Sequence, residues 1–366
     1  MNLNSAGVVK GVVNAASVQY PDAIGGEAAW YGAELAKRDH WIWHLNAAEI
    51  AELERATESF LATGLPLESV SISNFPLPQL ARKLAQTLHE LQHGRGFVMI
   101  RGLPVQKYEL RFSAALYLGL GRHFGSLRSS NGKGHLLGHV KDVGMKIEEA
   151  TTRFYQTNRR LEYHTDSADI VGLLCLQTAM RGGESYIVSS TTLYNEIVKR
   201  RPELVPALFT PFPTDRRGEV PMGMLPWFEI PIFNWYQGHL SAIYLRHYIE
   251  EAQRLFPQAP RLTKDQYAAM DLIDELVNDP ALHLQMAFEQ GDMQFLHNHT
   301  IFHSRNDFEN WPDPARHRHL LRLWMAPDSA RPLPEVFAPR YGSVTAGERG
   351  GIIVPGTRLT VALSAS

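Results

Sequence analysis

The sequence predicts a mainly β fold with helical decoration, built on a double-stranded β-helix, or jelly roll. Runs rich in β-branched and aromatic residues recur through the second half of the chain, and helical patterns separate some of them. Candidate metal ligands stand near both ends of this array, and no internal repeat or low-complexity tract indicates another architecture. The predicted strands of the array span 169–177, 228–234, 240–245, 282–288, 293–297 and 319–325.

Helical patterns dominate the first part of the chain. A helix is predicted to begin at a capping box, formed by Asn46 with Glu49 three residues later, and to end at Gly64. A second helix follows Pro78, with apolar residues along one face, and ends at Gly94. The other predicted elements are a strand over 97–100, helices over 108–124, 190–200 and 263–277, and a loop over 126–134 whose action as a lid is left open.

Length and composition indicate one elaborated domain or two. The chain has 366 residues, of which 44% are hydrophobic and 20% are charged, so it can bury a sizeable core. Residues 1–40 are rich in Gly and Ala and weakly periodic. We therefore expect an N-terminal arm over 1–40 and a single domain over 41–366, a jelly-roll core with helical inserts.

The charge balance excludes partners that depend on a strong electrostatic field. The formal net charge is −2, from 36 basic and 38 acidic residues. A chain so close to neutrality has no overall field to attract nucleic acid or a membrane surface. We expect a small-molecule substrate, no nucleic acid and no membrane as partners, and we leave a homo-oligomer open.

The cysteine content and the N-terminal sequence indicate the cellular compartment in which the protein is expected. Cys175 is the only cysteine, so no internal disulfide is possible, and its apolar neighbours predict a buried core thiol. The first twenty residues lack the apolar core and cleavage site of a secretion signal, and no stretch approaches the length of a membrane span. A soluble, cytoplasmic protein is expected.

Two separated segments carry candidate metal ligands. His164 and Asp166 flank Thr165, and on a strand the side chains at i and i+2 point the same way. His303 lies far along the chain, ahead of a basic strand. Two imidazoles and one carboxylate form the facial triad of non-haem iron(II) oxygenases, which leaves three coordination positions open. His-x-Asp alone is a weak motif, because it occurs by chance in many proteins.

Several motifs that follow one another along the chain make the identification of these ligands more specific. They are Gly-Arg-Gly-Phe-Val at 94–98, Tyr-His-Thr-Asp at 163–166, Gly-Gly-Glu-Ser at 182–185, and the block 303–322. Together they resemble the taurine dioxygenase family of iron(II)/2-oxoglutarate-dependent dioxygenases, of the clavaminate synthase-like superfamily. The resemblance extends over roughly 75–325.

The resemblance implies an oxidoreductase and assigns roles to the triad. His164, Asp166 and His303 match the family's iron ligands, and the implied cofactors are iron(II), the co-substrate 2-oxoglutarate and O2. The implied reaction hydroxylates a small polar or anionic metabolite and releases succinate and CO2. Asp166 argues against halogenation, because halogenases of this type generally lack the carboxylate ligand.

Three further residues match the family's co-substrate site. Arg318 resembles the family arginine that holds the far carboxylate of 2-oxoglutarate, and a guanidinium suits a carboxylate because two parallel donors match its geometry. Arg322 lies four positions further on the same strand face and resembles a second arginine, near the substrate or the metal end of the co-substrate. Ser185 stands where relatives carry a threonine hydroxyl that binds the same carboxylate.

Residues near the triad are candidates for the substrate pocket. Arg159 and Arg160 favour an anionic substrate, although a solvated strand end is an equal interpretation. Arg160 also replaces an asparagine that contacts substrate in the taurine enzyme, which argues against taurine itself. The full set of candidates is Tyr155, Gln156, Asn158, Arg159, Arg160, Asn298 and His299.

Two alternative functions remain open from the sequence. One is a non-catalytic jelly-roll protein that binds a metal or an organic acid. The other is an iron(II) oxidase of the same fold whose outcome is desaturation or cyclisation.

Overall fold

The structure, a computed structural model, describes residues 20–145 and 153–365. The helices are α1 Gly32–Leu35, α2 Ala47–Ala62, α3 Ala81–His93, α4 Leu110–Arg122, α5 Ser190–Arg200, α6 Val205–Leu208, α7 Arg246–Leu255, α8 Lys264–Val277 and α9 Ala338–Tyr341. The strands are β1 Ile42–His44, β2 Phe97–Arg101, β3 Ser126–Arg128, β4 Leu137–Lys141, β5 Leu161–His164, β6 Ile170–Gln177, β7 Arg181–Gly182, β8 Ser185–Ser189, β9 Pro211–Asp215, β10 Trp227–Pro231, β11 Phe233–Tyr236, β12 His239–Ala242, β13 Leu284–Met286, β14 Met293–His297, β15 Ile301–Arg305, β16 Phe308–Glu309 and β17 His319–Ala326.

A seven-stranded sheet forms one side of the core. Its order is β1-β2-β14-β6-β17-β3, with β4 also paired to β17. On β17, Leu321, Leu323 and Met325 join a large apolar cluster with α2, α3 and α4. Because side chains alternate along a strand, Arg322 and Trp324 point to the opposite face. That face looks into the candidate site.

A four-stranded sheet in the order β13-β8-β15-β5 forms the other side. All five residues of β15 are buried, which places His303 in the interior. Helices α5 and α8 cover this sheet with a second apolar cluster that includes Val188 and Phe302. Each sheet therefore has helices on its outer face, and the functional side chains lie on the inner faces.

Most of the predicted elements are present. The predicted capping box forms at Asn46 with Glu49, and α8 also begins at a capping box, Thr263 with Gln266. The loop prediction over 126–134 is wrong for its first three residues, which form β3 and pair with the end of β17. The predicted strand 228–234 is divided between β10 and β11, and helix α7 was not predicted. These misses involve long-range pairing or tertiary packing, which local sequence patterns do not report.

Both chain ends pack on the core where the structure describes them. Near the N-terminus, Trp30 is buried and its Nε1 donates a hydrogen bond to the carbonyl of Arg95, 2.8 Å away. The boundary at residue 40 between arm and domain stays a prediction, and part of the arm lies outside the described residues. Beyond β17, the backbone NH of Gly351 bonds to the carbonyl of Ser167 at 2.7 Å, and that of Ile352 to Ser129 at 2.9 Å. The C-terminal segment 327–365 thus packs beside the end of β5.

None of the helices in the described part of the chain combines the length and the apolar character needed to cross a bilayer.

Candidate active site

The predicted triad comes together between the two sheets. His164 ends β5 and is the register partner of His303 on β15, and the centroids of their rings are 4.2 Å apart. Asp166 lies just beyond β5 rather than on it, so the prediction that both residues of the motif share a strand is wrong. The carboxylate still reaches the site, with Oδ1 3.9 Å from His164 Nε2 and Oδ2 4.0 Å from His303 Nε2.

These side chains form a possible metal centre. One ligand atom from each of the three lies within 4.8 Å of the others, and no other such cluster of histidine, cysteine or acidic residues occurs in residues 20–145 and 153–365. His164 Nδ1 donates to the carbonyl of Glu162 at 2.8 Å, because a carbonyl only accepts, and this leaves Nε2 free to bind a metal. Burial lowers the pKa of His303 to about 3, so its imidazole is neutral. Two neutral imidazoles and a carboxylate suit iron(II).

Neighbouring side chains fix the orientation of Asp166. Trp324 Nε1 donates to its Oδ2 at 2.9 Å, and Arg322 Nη1 lies 3.5 Å from the same oxygen. Burial raises the pKa of Asp166, but the charge of Arg322 and the hydrogen bond from Trp324 oppose this effect, and the pKa lies below its ordinary value. Asn298 accepts a hydrogen bond from the Asp166 backbone NH at 2.8 Å and donates back to its carbonyl. The carboxylate is therefore ionised and held in place.

A small cavity leads from the triad to Arg318. Its lining includes Ser185, Arg318, His303 and Leu320. Arg318 is only 4% exposed, and its Nη2 donates to the carbonyl of Gly183 at 3.3 Å. Its Nη1 is buried without a hydrogen-bond partner, and no carboxylate of the described residues lies within 4.0 Å of it. Burial lowers the pKa of Arg318 to about 10, so the group remains cationic at neutral pH. A buried cation of this kind calls for an anionic ligand.

The other two predicted co-substrate residues border the same cavity. The Ser185 hydroxyl accepts a hydrogen bond from Gln294 Nε2 at 3.4 Å. Arg322 lines this cavity and also a larger one on the other side of the triad. Its guanidinium carbon lies 4.7 Å from the ring centre of Tyr155 and 5.1 Å from that of Trp324. Its Nε is buried without a hydrogen-bond partner among the described atoms. The arrangement suits a keto acid that spans from the metal to Arg318.

Gly183 has a geometric reason to be glycine. Its φ is +78°, and a Cβ at this position would lie 2.9 Å from Arg318 Nε. We expect Gly183→Ala to raise the KM for 2-oxoglutarate about tenfold, since the displaced guanidinium loses part of its fit, and to lower the free energy of unfolding by about 1 kcal/mol. Initial rates at varied 2-oxoglutarate measure the first effect. Gly238→Ala is the control, because its φ is +79° with nothing within 4 Å, and an equal KM change there would contradict the explanation.

A larger cavity of about 470 Å³ opens on the other side of the triad. Tyr155 and Gln156 line it, as predicted from the sequence. Arg159 and Arg160 do not: both are exposed, and Arg160 donates to Asn278 Oδ1 at 2.6 Å. The interpretation of these two arginines as substrate contacts is therefore not supported by their positions.

The remaining pocket-wall candidates also lie elsewhere. Asn158 is exposed, and Asn298 and His299 are fully buried behind the triad. His299 Nε2 hydrogen-bonds Asp169 Oδ1 at 2.7 Å, so it supports the fold. Sequence reasoning did not identify the basic residues that line the large cavity beyond Arg322, and no spacing or motif marks them. They are Lys133, Arg153, Arg216, Arg217, Arg246, His247 and Arg340.

Comparisons with known proteins agree with this geometry. Residues 62–324 match the family model described as taurine catabolism dioxygenase TauD, TfdA family. FR-33289 synthase of Streptomyces rubellomurinus is 31% identical over 331 residues, covering 89% of this chain and 97% of that protein. A taurine hydroxylase-like protein, SAT17, of Stachybotrys chartarum is 28% identical over 321 residues, covering 84% and 80%.

Solved structures of similar fold include two oxygenases. An asparagine oxygenase in complex with Fe(II), 3-hydroxyasparagine and succinate has a TM-score of 0.62 at 15% identity, covering 78% of this chain and 93% of that one. The non-haem iron oxygenase OrfP in complex with Fe and alpha-ketoglutaric acid has a TM-score of 0.59 at 16% identity, with the same coverage. At these identities the likeness shows the fold, and the predicted jelly-roll class is confirmed.

The family match covers most of the chain and includes every motif on which the predicted resemblance rests. The prediction of an oxidoreductase that uses iron(II), 2-oxoglutarate and O2 is likewise confirmed. The chain belongs to the TauD, TfdA family of dioxygenases.

Proposed function

We propose that His164, Asp166 and His303 bind the iron(II), that Arg318 and Ser185 bind the far carboxylate of 2-oxoglutarate, and that a small polar or anionic metabolite is hydroxylated in the large cavity. One observation carries this assignment. The buried, unpartnered Nη1 of Arg318 and the triad lie at the two sides of one small cavity, where a short dicarboxylic keto acid satisfies both.

The bound iron and co-substrate supply the oxidising power that places an oxygen atom on a substrate C–H bond, with succinate and CO2 as co-products. The protein's residues position the reactants. Trp324 and Arg322 hold Asp166 in one orientation, and Arg318 fixes the direction of the co-substrate. The large cavity then admits substrate from the side of the triad opposite Arg318. Desaturation or cyclisation would use the same residues, so product analysis distinguishes those outcomes from hydroxylation.

The first experiment adds iron(II) and then 2-oxoglutarate to metal-free protein without oxygen. We expect a visible metal-to-ligand charge-transfer absorption, which reports a keto acid chelated to iron(II). Air should then convert 2-oxoglutarate into succinate. Tight iron binding without the absorption would reject the proposed co-substrate site.

Arg318→Ala tests the co-substrate assignment. Because a carboxylate would lose its charged donor, we expect the KM for 2-oxoglutarate to rise by roughly tenfold to a hundredfold, with iron affinity unchanged. Titration of the charge-transfer absorption with 2-oxoglutarate measures the affinity directly. Arg316→Ala is the matched control, since Arg316 is exposed and packs on the Trp311 ring. Equal affinity in the Arg318 variant and the wild type would reject the role.

We also propose that the protein works in the cytoplasm. The single cysteine, Cys175, is buried, and burial raises the pKa of its thiol to about 12, so an oxidising compartment is not needed for structure. Iron(II) is also best maintained in a reducing compartment. Fractionation of cells that express the chain tests this.

A further inference from the structure

Acids of the chain neutralise some of the arginines that line the large cavity, but two of these arginines have no acid partner. Arg153 Nη2 lies 2.8 Å from Glu219 Oε2, and Arg217 Nη1 lies 3.6 Å from Glu251 Oε2. Arg246 is paired with three acids, one on its own helix α7 and two on α8. The positive charges of these three arginines are therefore balanced by acids of the chain.

Arg216 and Arg340 have no carboxylate within 4.0 Å in the part of the chain that the structure describes. Arg216 is 3% exposed, and its Nε and Nη2 donate to the carbonyls of Leu225 at 3.0 Å and Pro339 at 2.7 Å. Carbonyls orient a guanidinium but do not neutralise it. Burial, with the charge of Arg340 as a second cause, lowers the pKa of Arg216 to about 10, so it stays cationic at neutral pH.

Arg340 is held beside the triad. Its Nε donates to Ser167 Oγ at 2.6 Å, and Ser167 follows the proposed iron ligand Asp166 directly. The guanidinium carbons of Arg216 and Arg340 lie 5.1 Å and 5.3 Å from the centre of the Phe228 ring. The two cations therefore share one aromatic neighbour, and both line the cavity that reaches the metal centre.

Glu219, an acid that also lines the large cavity, already accepts a hydrogen bond on each of its carboxylate oxygens. Glu219 Oε1 accepts from the backbone NH of Gly132 at 2.8 Å, while Oε2 accepts from Arg153. Two neighbouring cations without an anion in a partly desolvated cavity repel each other, which costs stability unless a ligand supplies the negative charge. An anionic ligand would remove this repulsion, so the pair favours a binding role.

We propose that Arg340 and Arg216 form a subsite for an oxyanion group of the substrate, of the carboxylate, sulfonate or phosphonate type, with the C–H bond to be oxidised a few bonds away. The inference rests on the proposed function and specifies its substrate class. Arg340 lies in α9, beyond residues 62–324 that match the family model, so the C-terminal segment supplies this part of the pocket. The substrate is a small acid, because the subsite adjoins the residue next to Asp166.

The test uses anaerobic protein loaded with iron(II) and 2-oxoglutarate. Calorimetric titrations compare three anions on one aromatic ring, phenylphosphonate, benzenesulfonate and benzoate, with neutral benzamide. The variants are Arg340→Gln, which removes the charge, and Arg340→Lys, which keeps it. Arg159→Gln is the matched control, since Arg159 is exposed and does not line the cavity.

In the wild type, at least one anion should bind at least about tenfold more tightly than benzamide, which is the effect expected of one charged hydrogen-bonding pair. Arg340→Gln should lose this preference, Arg340→Lys should retain part of it, and Arg159→Gln all of it. The favoured anion identifies the type of acid. No preference in the wild type, or an unchanged preference in Arg340→Gln, overturns the subsite.

The charge-transfer absorption, recorded on each loaded sample, separates this inference from the proposed function. An absorption without anion preference overturns the subsite alone. Anion preference without the absorption supports the subsite and rejects the proposed iron and co-substrate site. Circular dichroism confirms that each variant is folded.

Discussion

Replacing His303 by alanine is expected to abolish 2-oxoglutarate-dependent succinate formation, with a loss of at least about a thousandfold, equivalent to roughly 4 kcal/mol of transition-state stabilisation. The His303 and His164 rings face each other at 4.2 Å, with Asp166 bridging between them. Removing one imidazole leaves a single histidine and a carboxylate, which is too few donors to hold the metal in a fixed geometry. Anaerobic titration should show weak iron binding and no charge-transfer absorption.

His317→Ala is the control for this variant. His317 is close in sequence and only partly buried, and it lines neither cavity. It should retain activity and the absorption. A fully active His303→Ala protein, or equal losses in the two variants, would show that the distal ligand has been assigned to the wrong histidine.

The sequence selected residues that the structure brings together at the triad and the small cavity, because each sits in a motif with a fixed geometric requirement. Gly183 is an example: it must be glycine, since a Cβ would press on Arg318. The placement of Asp166 was less accurate, because β5 ends at His164 and the chain turns before the carboxylate. The Asp166 carboxylate still lies 3.9 Å from His164 and 4.0 Å from His303, because the short step beyond the strand returns the side chain to the same site.

The substrate pocket was not predictable in the same way. Arg159 and Arg160 are near the triad in sequence, but their side chains are exposed outside the cavity. Arg216 comes from the end of β9 and Arg340 from a helix after the last strand, and both reach the cavity only through tertiary packing. A chain with 36 basic residues offers no local signal that selects these two.

The C-terminal segment that carries Arg340 is fastened by a buried ion pair. Arg349 and Asp169 are both fully buried, and the guanidinium donates to the carboxylate at 2.8–3.1 Å. Further donors reach the carbonyls of Val344 at 3.0 Å and Arg331 at 2.7 Å. The same carboxylate bonds His299, so the segment is tied to the strand region behind the triad. Pocket shape should therefore depend on this pair.

Arg349→Met is expected to lower the free energy of unfolding by about 3–5 kcal/mol, because it leaves the Asp169 carboxylate buried with the His299 ring as its remaining side-chain hydrogen-bond partner. Urea unfolding followed by circular dichroism measures the loss. Adding Asp169→Asn to the same protein should recover part of it, since the uncompensated charge is removed while an acceptor for His299 remains. A single-variant loss below about 1 kcal/mol, or a double variant less stable than the single one, would mean that the ion pair does not hold the segment. Arg349→Met should also weaken anion binding at Arg340, because the subsite exists only while the segment is docked.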